Sequence, residues 1–220
     1  RAYGLPWTDD ADGRIGRMVE ALELTLALWK GNEAVTLTGR YYQLDGAVCV
    51  PGPLQRPHPP IWMGGTHPGI LKVCAQFAQG WHSTPVSLAQ LAERLVLLKS
   101  AFEAAGRDMA ELEKAMAIPV LVAPDHGELR RQLSSIIALE PDVAPDVELQ
   151  AYLQGAQSEL PASFAGNRLV GTPEEVTKQV RAYIDAGIDH FMLWFMDSPL
   201  SDSLELFAEK VVPEFTQEED

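Results

Sequence analysis

Residues 59–84 hold the groups best placed to do chemistry. They read Pro59-Pro60-Ile61-Trp62-Met63-Gly64-Gly65-Thr66-His67-Pro68-Gly69, a helical run, and then Gly80-Trp81-His82-Ser83-Thr84. The apolar run Ile61 to Met63 stops at two adjacent glycines and gives way at once to a helix. Glycine has no Cβ and tolerates positive φ, so backbone there can come close to a ligand. The helix behind it aims unpaired N–H groups and the positive end of its dipole at the same spot. These are the features of a site for phosphate or another anion. The same pattern also makes an ordinary βα turn, which is its commoner use, and this segment alone leaves the two readings open.

Other reactive side chains carry less. His67 opens the glycine-flanked helix within reach of a phosphate, but a solvated loop histidine explains it equally well. His82 has no carboxylate or cysteine at a readable spacing, which gives little ground for a catalytic role. Trp29, Tyr41 and Tyr42 read as packing residues. Cys49 and Cys74 are isolated, without metal or redox spacing, which fits a reducing cytoplasm. Cys74 falls on the apolar side of a helix and reads as a core thiol. No metal-ligand cluster and no Ser-His-Asp arrangement is legible, and no catalytic residue can be assigned.

The elements that position these residues follow from periodicity. An apolar stripe of Ile15, Met18, Val19, Leu22, Leu26 and Trp29 predicts a helix over about 12–29. Residues 35–50 alternate as a β-hairpin, and the Pro-rich stretch 51–60 is a rigid, extended connector into the Ile61 strand. Ile70, Val73, Cys74 and Phe77 share one helix face, and a short strand follows over 80–84. Ser87-x-x-Gln90 has the form of a capping box, opening a helix that Gly106 ends in the left-handed conformation. Met116 to Val122 reads as a strand despite Pro119, and about 127–139 as a helix. Thr172-Pro173-Glu174-Glu175 starts a helix that ends at Gly187. Ile188 to Phe195 reads as a buried strand, and 201–211 as a last helix. Residues 140–167 are acidic and Pro-containing, with little apolar surface, and read as an inserted excursion, partly helical and mobile. Four alternations of strand and helix point to a parallel sheet with crossover helices.

A chain of 220 residues is long enough for one sizeable core, so the whole of it reads as a single domain. Its 17 Lys and Arg against 31 Asp and Glu give a net charge of −14. Such a surface repels nucleic acid and anionic membranes, and no apolar stretch is long enough to span a bilayer. Arg1 is not an initiator methionine, and the opening residues read as a loop already under way, which suggests a fragment.

Several segments, taken in order, resemble the luciferase-like family of flavin- and deazaflavin-dependent oxidoreductases. They are Glu20-Ala21-Leu22-Glu23 through Leu28-Trp29, Gly39-Arg40-Tyr41-Tyr42, Pro53-Leu54-Gln55-Arg56-Pro57-His58-Pro59-Pro60-Ile61-Trp62-Met63-Gly64-Gly65, and Gly80-Trp81. Two more are Gly171-Thr172-Pro173-Glu174-Glu175-Val176 and Asp185-Ala186-Gly187-Ile188-Asp189-His190-Phe191. The resemblance spans nearly the whole chain except 140–167. It implies a TIM-type (β/α)8 barrel of α/β class, of which this chain is the second half, strands five to eight. It further implies FMN or the deazaflavin coenzyme F-420 as cofactor, with its phosphate end held by Met63, Gly64, Gly65 and Thr66, beside Trp81, and by Ser83 and Thr84 as hydroxyl donors. The aromatics of the last strand, Trp194 and Phe195 with His190, would fill the barrel. Agreement between this assignment and the direct reading favours the ligand over the plain turn.

Two classes of function follow. The first is a cytoplasmic oxidoreductase or monooxygenase acting on a small organic substrate, with a homo-oligomer expected because a half barrel exposes sheet edges. The alternative is a non-catalytic flavin-binding or structural fragment. Lys72 is the one basic residue the sequence puts near the phosphate site, since none occurs from Ser83 through Glu93. That scarcity disfavours a polyanionic tail, while the texture of the chain is closer to the deazaflavin branch, so the cofactor stays open.

Overall fold

The computed structural model describes residues 10–31, 33–139 and 145–216. They fall into two compact units, one within residues 1–81 and 97–112, the other within 82–96 and 113–220.

The first unit opens with α1 (Ala11–Trp29), capped by Asp10, whose carboxylate accepts from the Gly13 N–H at 2.6 Å. Strands β1 (Val35–Thr38) and β2 (Gln43–Ala47) form the antiparallel hairpin expected from their alternation. Glu20 of α1 organises the turn between them. Its carboxylate accepts from the Tyr41 N–H at 3.0 and 3.1 Å and from the Tyr42 N–H at 2.7 Å. A Cβ at Gly39 would collide with that carboxylate, which is why the turn begins with glycine. Trp29 packs as expected, stacked on the His58 ring at 6.2 Å.

Strand β3 (Trp62–Gly64), helix α2 (Pro68–Phe77) and strand β4 (Gly80–Ser83) follow, with β4 the neighbour of β3. The Trp62 ring lies over Gly80 where any Cβ would stand. Leu71, Val73, Cys74 and Ala75 bury one face of α2. The Arg107 guanidinium closes the other end of α2 by donating to the Ala75 and Ala78 carbonyls, both at 3.0 Å. Helix α3 (Leu88–Ala104) starts with the expected capping box: Gln90 N–H donates to Ser87 Oγ and Ser87 N–H to Gln90 Oε1. Gly106, at φ +69°, ends it in the left-handed region.

The second unit is built on β5 (Glu113–Val122), longer than its apolar run suggested. It pairs in parallel with β6 (Leu169–Gly171) through Val120 to Val122, and with β7 (His190–Phe195) through Ala115 to Val120. Pro119 faces Trp194 without interrupting the ladder. Strand β4, whose last two residues belong to this unit, neighbours β5. The crossover helices are α4 (His126–Ile137), the short α5 (Val147–Leu153) and α6 (Ala162–Ala165), and α7 (Pro173–Asp185); α8 (Asp202–Lys210) and α9 (Pro213–Thr216) follow β7. Thr172 and Glu175 form the capping box at the start of α7. The class is α/β with a parallel sheet, the succession of a partial (β/α)8 barrel.

Three expectations need correction. Of the segment 140–167, residues 140–144 lie outside the described residues, and the rest is not short of apolar surface. Tyr152 is fully buried and Leu149 nearly so, packed with Leu121, Leu129, Leu133 and Val170. The acidic composition concealed this, because Asp146 is spent capping α5, accepting from the Leu149 N–H at 2.8 Å. Strand β6 was not foreseen, being three residues long. Strand β7 is not buried: exposed and half-buried residues alternate along it, and Trp194 is 60% exposed. Trp194 therefore does not fill an interior in this structure. Among the described strands β7 has only β5 beside it, so its apolar run has less to pack against.

Candidate functional site

Two constellations carry the residues singled out in the sequence. The first, in the first unit, is the break between β3 and α2. Gly65 has φ +109°, a conformation that L side chains rarely adopt, and the nearest atom to an added Cβ would be Ile70 Cγ2 at 3.6 Å. Gly64 and Gly65 are exposed and Thr66 half-buried, so ligand-facing surface exists here. Met63 is buried and could contribute only through its main chain. Trp81 is fully buried and its indole N–H donates to the Gly65 carbonyl at 3.1 Å, fixing the glycine peptide from below.

The helix end contributes less than its position suggests. Pro68 has no N–H. The Gly69 N–H donates to His67 Nδ1 at 3.2 Å, and the Leu71 N–H to the His67 carbonyl at 3.0 Å. His67 is thus the N-cap of α2, using its Nδ1 locally. Much of the donor capacity expected from the dipole end is used by the chain itself, so an anion here would rely on the backbone of 64–66.

The second constellation, in the second unit, follows β4. Ser83 is 1% exposed; its hydroxyl donates to the Thr84 carbonyl at 3.0 Å and accepts from Arg94 Nη1 at 2.9 Å. Arg94 Nη1 also donates to Thr84 Oγ1 at 3.0 Å and to the Thr84 carbonyl at 3.3 Å. Among the described residues the bonds of this guanidinium go through Nη1, and Nη2 and Nε are the groups that could meet an anion. Thr84 is exposed and Arg94 half-buried. Sequence reasoning missed Arg94, a basic residue beside Ser83 and Thr84. It stands one residue past the stretch Ser83–Glu93 that lacks Lys and Arg, and its guanidinium reaches back from α3 to the strand end. Ser83 orients the arginine instead of serving as a free hydroxyl donor.

Other titratable groups are accounted for differently. Burial pushes the Cys74 thiol up to about 11, with the Arg107 charge pulling weakly the other way, as befits a core thiol. His82 Nε2 is buried without a hydrogen-bond partner among the described residues. His126, which the sequence did not single out, bridges two elements. Its Nδ1 lies 3.0 Å from the Tyr152 hydroxyl and its Nε2 3.2 Å from Glu175 Oε1. No group of residues able to hold a metal ion occurs among the described residues, and no described helix is long and apolar enough to cross a membrane.

Known proteins resemble this chain in sequence and in fold. A family described as luciferase-like monooxygenase matches residues 1–190. An F-420-dependent glucose-6-phosphate dehydrogenase of Kineococcus radiotolerans is 26% identical over 206 residues, covering 91% of this chain and 60% of that protein. The chain thus spans about three fifths of the length of this curated relative. Among solved structures, an F-420-dependent secondary alcohol dehydrogenase in complex with an F-420–acetone adduct superposes with TM-score 0.68 at 21% identity, covering 94% of this chain and 63% of that one. A riboflavin lyase with modified FMN and riboflavin superposes with TM-score 0.72 at 19% identity, covering 97% and 59%. At these identities the structural matches speak to the fold alone.

Proposed function

The chain belongs to the luciferase-like monooxygenase family, and we propose that it forms the cofactor-phosphate part of an oxidoreductase site using FMN or the deazaflavin F-420 on a small organic substrate. The observation that carries this is the Arg94–Ser83–Thr84 cluster at the C-terminal end of β4. In a chain of net charge −14, a guanidinium fixed by two hydroxyl side chains beside a parallel strand end, with two further nitrogens, is a device for holding an anion. The Gly64-Gly65-Thr66 backbone, with its positive φ and open surface, supplies a second place where a phosphate oxygen can approach. The relatives named above use F-420 or hold modified FMN, which supports this class of cofactor.

Each residue has a limited task in this reading. In the second unit Thr84 and Arg94 would bind phosphate oxygen directly; in the first, taken by itself, Gly64, Gly65 and Thr66 would offer main-chain N–H groups to an anion. Trp81 holds the Gly65 peptide, Met63 anchors β3, and Ser83 orients Arg94. The ring of the cofactor supplies the redox chemistry when bound; the residues described here bind and orient its tail.

The test separates phosphate recognition from ring recognition. Fluorescence titration of the protein with FMN and with riboflavin, which lacks the phosphate, should show Arg94→Met weakening FMN by about tenfold or more while riboflavin is unchanged. Equal losses for both, or none for FMN, would remove Arg94 from the site. A parallel titration with F-420 names the preferred cofactor. Turnover of an organic substrate with the reduced cofactor separates the enzyme from a non-catalytic binder.

A further inference from the structure

Among the described residues, the hydrogen bonds that shape the Arg94–Ser83–Thr84 cluster run within residues 83–94. They set the guanidinium against the strand end, but they do not tie the turn between β4 and α3 to the rest of the second unit. One bond reaches that turn from far along the chain. The Tyr183 hydroxyl, on α7, donates to the Val86 carbonyl at 2.7 Å. Both residues are buried, and both belong to the second unit, as the cluster does. No other donor reaches the Val86 carbonyl among the described residues.

The donor is held firmly. Val176 and Val180 bury the same helix about two turns and one turn before Tyr183, and the Ile188 N–H donates to the Tyr183 carbonyl at 3.0 Å where α7 ends. Burial pushes the pKa of the Tyr183 hydroxyl above its ordinary value, so the group stays a proton donor at neutral pH. The acceptor is tied just as closely to the cluster. Val86 stands two residues from Thr84, with Pro85 between them. Proline fixes its own φ and holds the residue before it extended, which leaves little slack between the clamped carbonyl and Thr84. Beyond Val86, Ser87 opens α3 through its box with Gln90, so the same turn sets where the helix carrying Arg94 begins.

We propose that Tyr183 is a positioning residue for the anion cluster: through the Val86 carbonyl it fixes Thr84 and the start of α3, and so the place where Thr84 and Arg94 meet a phosphate together. The inference rests on the reading of that cluster as a phosphate site. Tyr183 acts through the turn and not on the ligand. Without its hydroxyl, a buried carbonyl loses its donor, and a turn that shifts to find another partner takes Thr84 and the first turn of α3 with it. A site whose groups must sit within a fraction of an ångström of the anion depends on such support from behind.

The test compares FMN with riboflavin, which lacks the phosphate, by fluorescence titration of the whole chain and its variants. Tyr183→Phe keeps the ring and loses the hydroxyl; FMN should bind about fivefold more weakly and riboflavin as before. Val180→Ala loosens the same helix but keeps the hydroxyl. It should lower the urea midpoint at least as far as Tyr183→Phe does, and leave both affinities unchanged. In an Arg94→Met background, Tyr183→Phe should weaken FMN by less than about twofold more, because little is left to position. Equal losses of FMN and riboflavin in Tyr183→Phe, a selective loss of FMN in Val180→Ala, or full additivity with Arg94→Met would each overturn the proposal and leave Tyr183 a packing residue. FMN weakened by Arg94→Met but not by Tyr183→Phe would overturn it while the phosphate site stands. FMN indifferent to Arg94→Met would remove the phosphate site, and the role of Tyr183 with it.

Discussion

Gly65 and Arg94 bound what the sequence could reveal residue by residue. Two adjacent glycines at the end of an apolar run are a local signal, and φ +109° at Gly65 is the conformation that signal implies. Arg94 gave none, because its meaning comes from a fold-back of eleven residues onto Ser83. Gly65→Val tests the first residue. The added Cβ has room, its nearest neighbour being Ile70 Cγ2 at 3.6 Å, so the penalty is backbone strain of about 1–3 kcal/mol. FMN affinity should fall about tenfold while the far-UV spectrum is retained. Equal FMN affinity in the variant would remove the double glycine from the site. Cys74 makes the complementary case, a residue whose chemistry is suppressed. With its thiol pushed up to about 11 and no exposed surface, it should resist a maleimide at pH 8 for as long as the fold holds, while half-buried Cys49 reacts. Mass spectrometry of the labelled native chain should find one adduct, and two after denaturation.

Among the elements, those written in local chemistry were legible. The Thr172–Glu175 capping box, the Ser87–Gln90 box and the Gly106 stop each use a few neighbouring residues and were found where expected. Elements defined by distant partners were not. Strand β6 is three residues that become a strand only because the end of β5, Val120 to Val122, pairs with them. Residues 140–167 were expected to be partly helical, as α5 is, but its buried face was hidden because the two residues that form it, Leu149 and Tyr152, are sparse in an acidic stretch. Tyr152 joins the core with Leu129 and Leu133, and its hydroxyl meets His126, which in turn meets Glu175 of α7. Tyr152 therefore anchors α5 chiefly by its ring. Tyr152→Ala should cost about 3–5 kcal/mol, and Tyr152→Phe, which keeps the ring and loses one hydrogen bond, about 0.5–1.5 kcal/mol. Urea denaturation measures both. An alanine variant within 1 kcal/mol of wild type would mean, by the same cavity argument, that α5 is only loosely docked.

At the scale of the molecule, the parallel sheet was legible from the alternation of elements, and the inward or outward sense of its last strand was not. His-Phe-Met-Leu-Trp-Phe reads as a run buried on both faces, the usual state of a parallel strand between helices. That reading assumed neighbours on both edges. In the structure β7 pairs with β5, no other described strand flanks it, and Met192 and Trp194 are 39% and 60% exposed. An exposed tryptophan and methionine alternating along an edge strand form a surface that favours association, and no acidic side chain interrupts β7 to oppose it. The net charge of −14 works the other way, repelling a second copy over a screening distance of about 10 Å at 0.1 M salt. The two effects predict a particular salt dependence: purified chain should self-associate more as salt rises, because screening removes the repulsion and leaves the apolar attraction. Trp194→Lys places a charge at the centre of the exposed stretch and should weaken the association by about tenfold at 0.3 M salt. Sedimentation equilibrium at several salt concentrations reads both effects. If association fell as salt rose, or if Trp194→Lys left it unchanged, the contact would be an electrostatic one elsewhere on the surface, and the exposure of β7 would have no part in it.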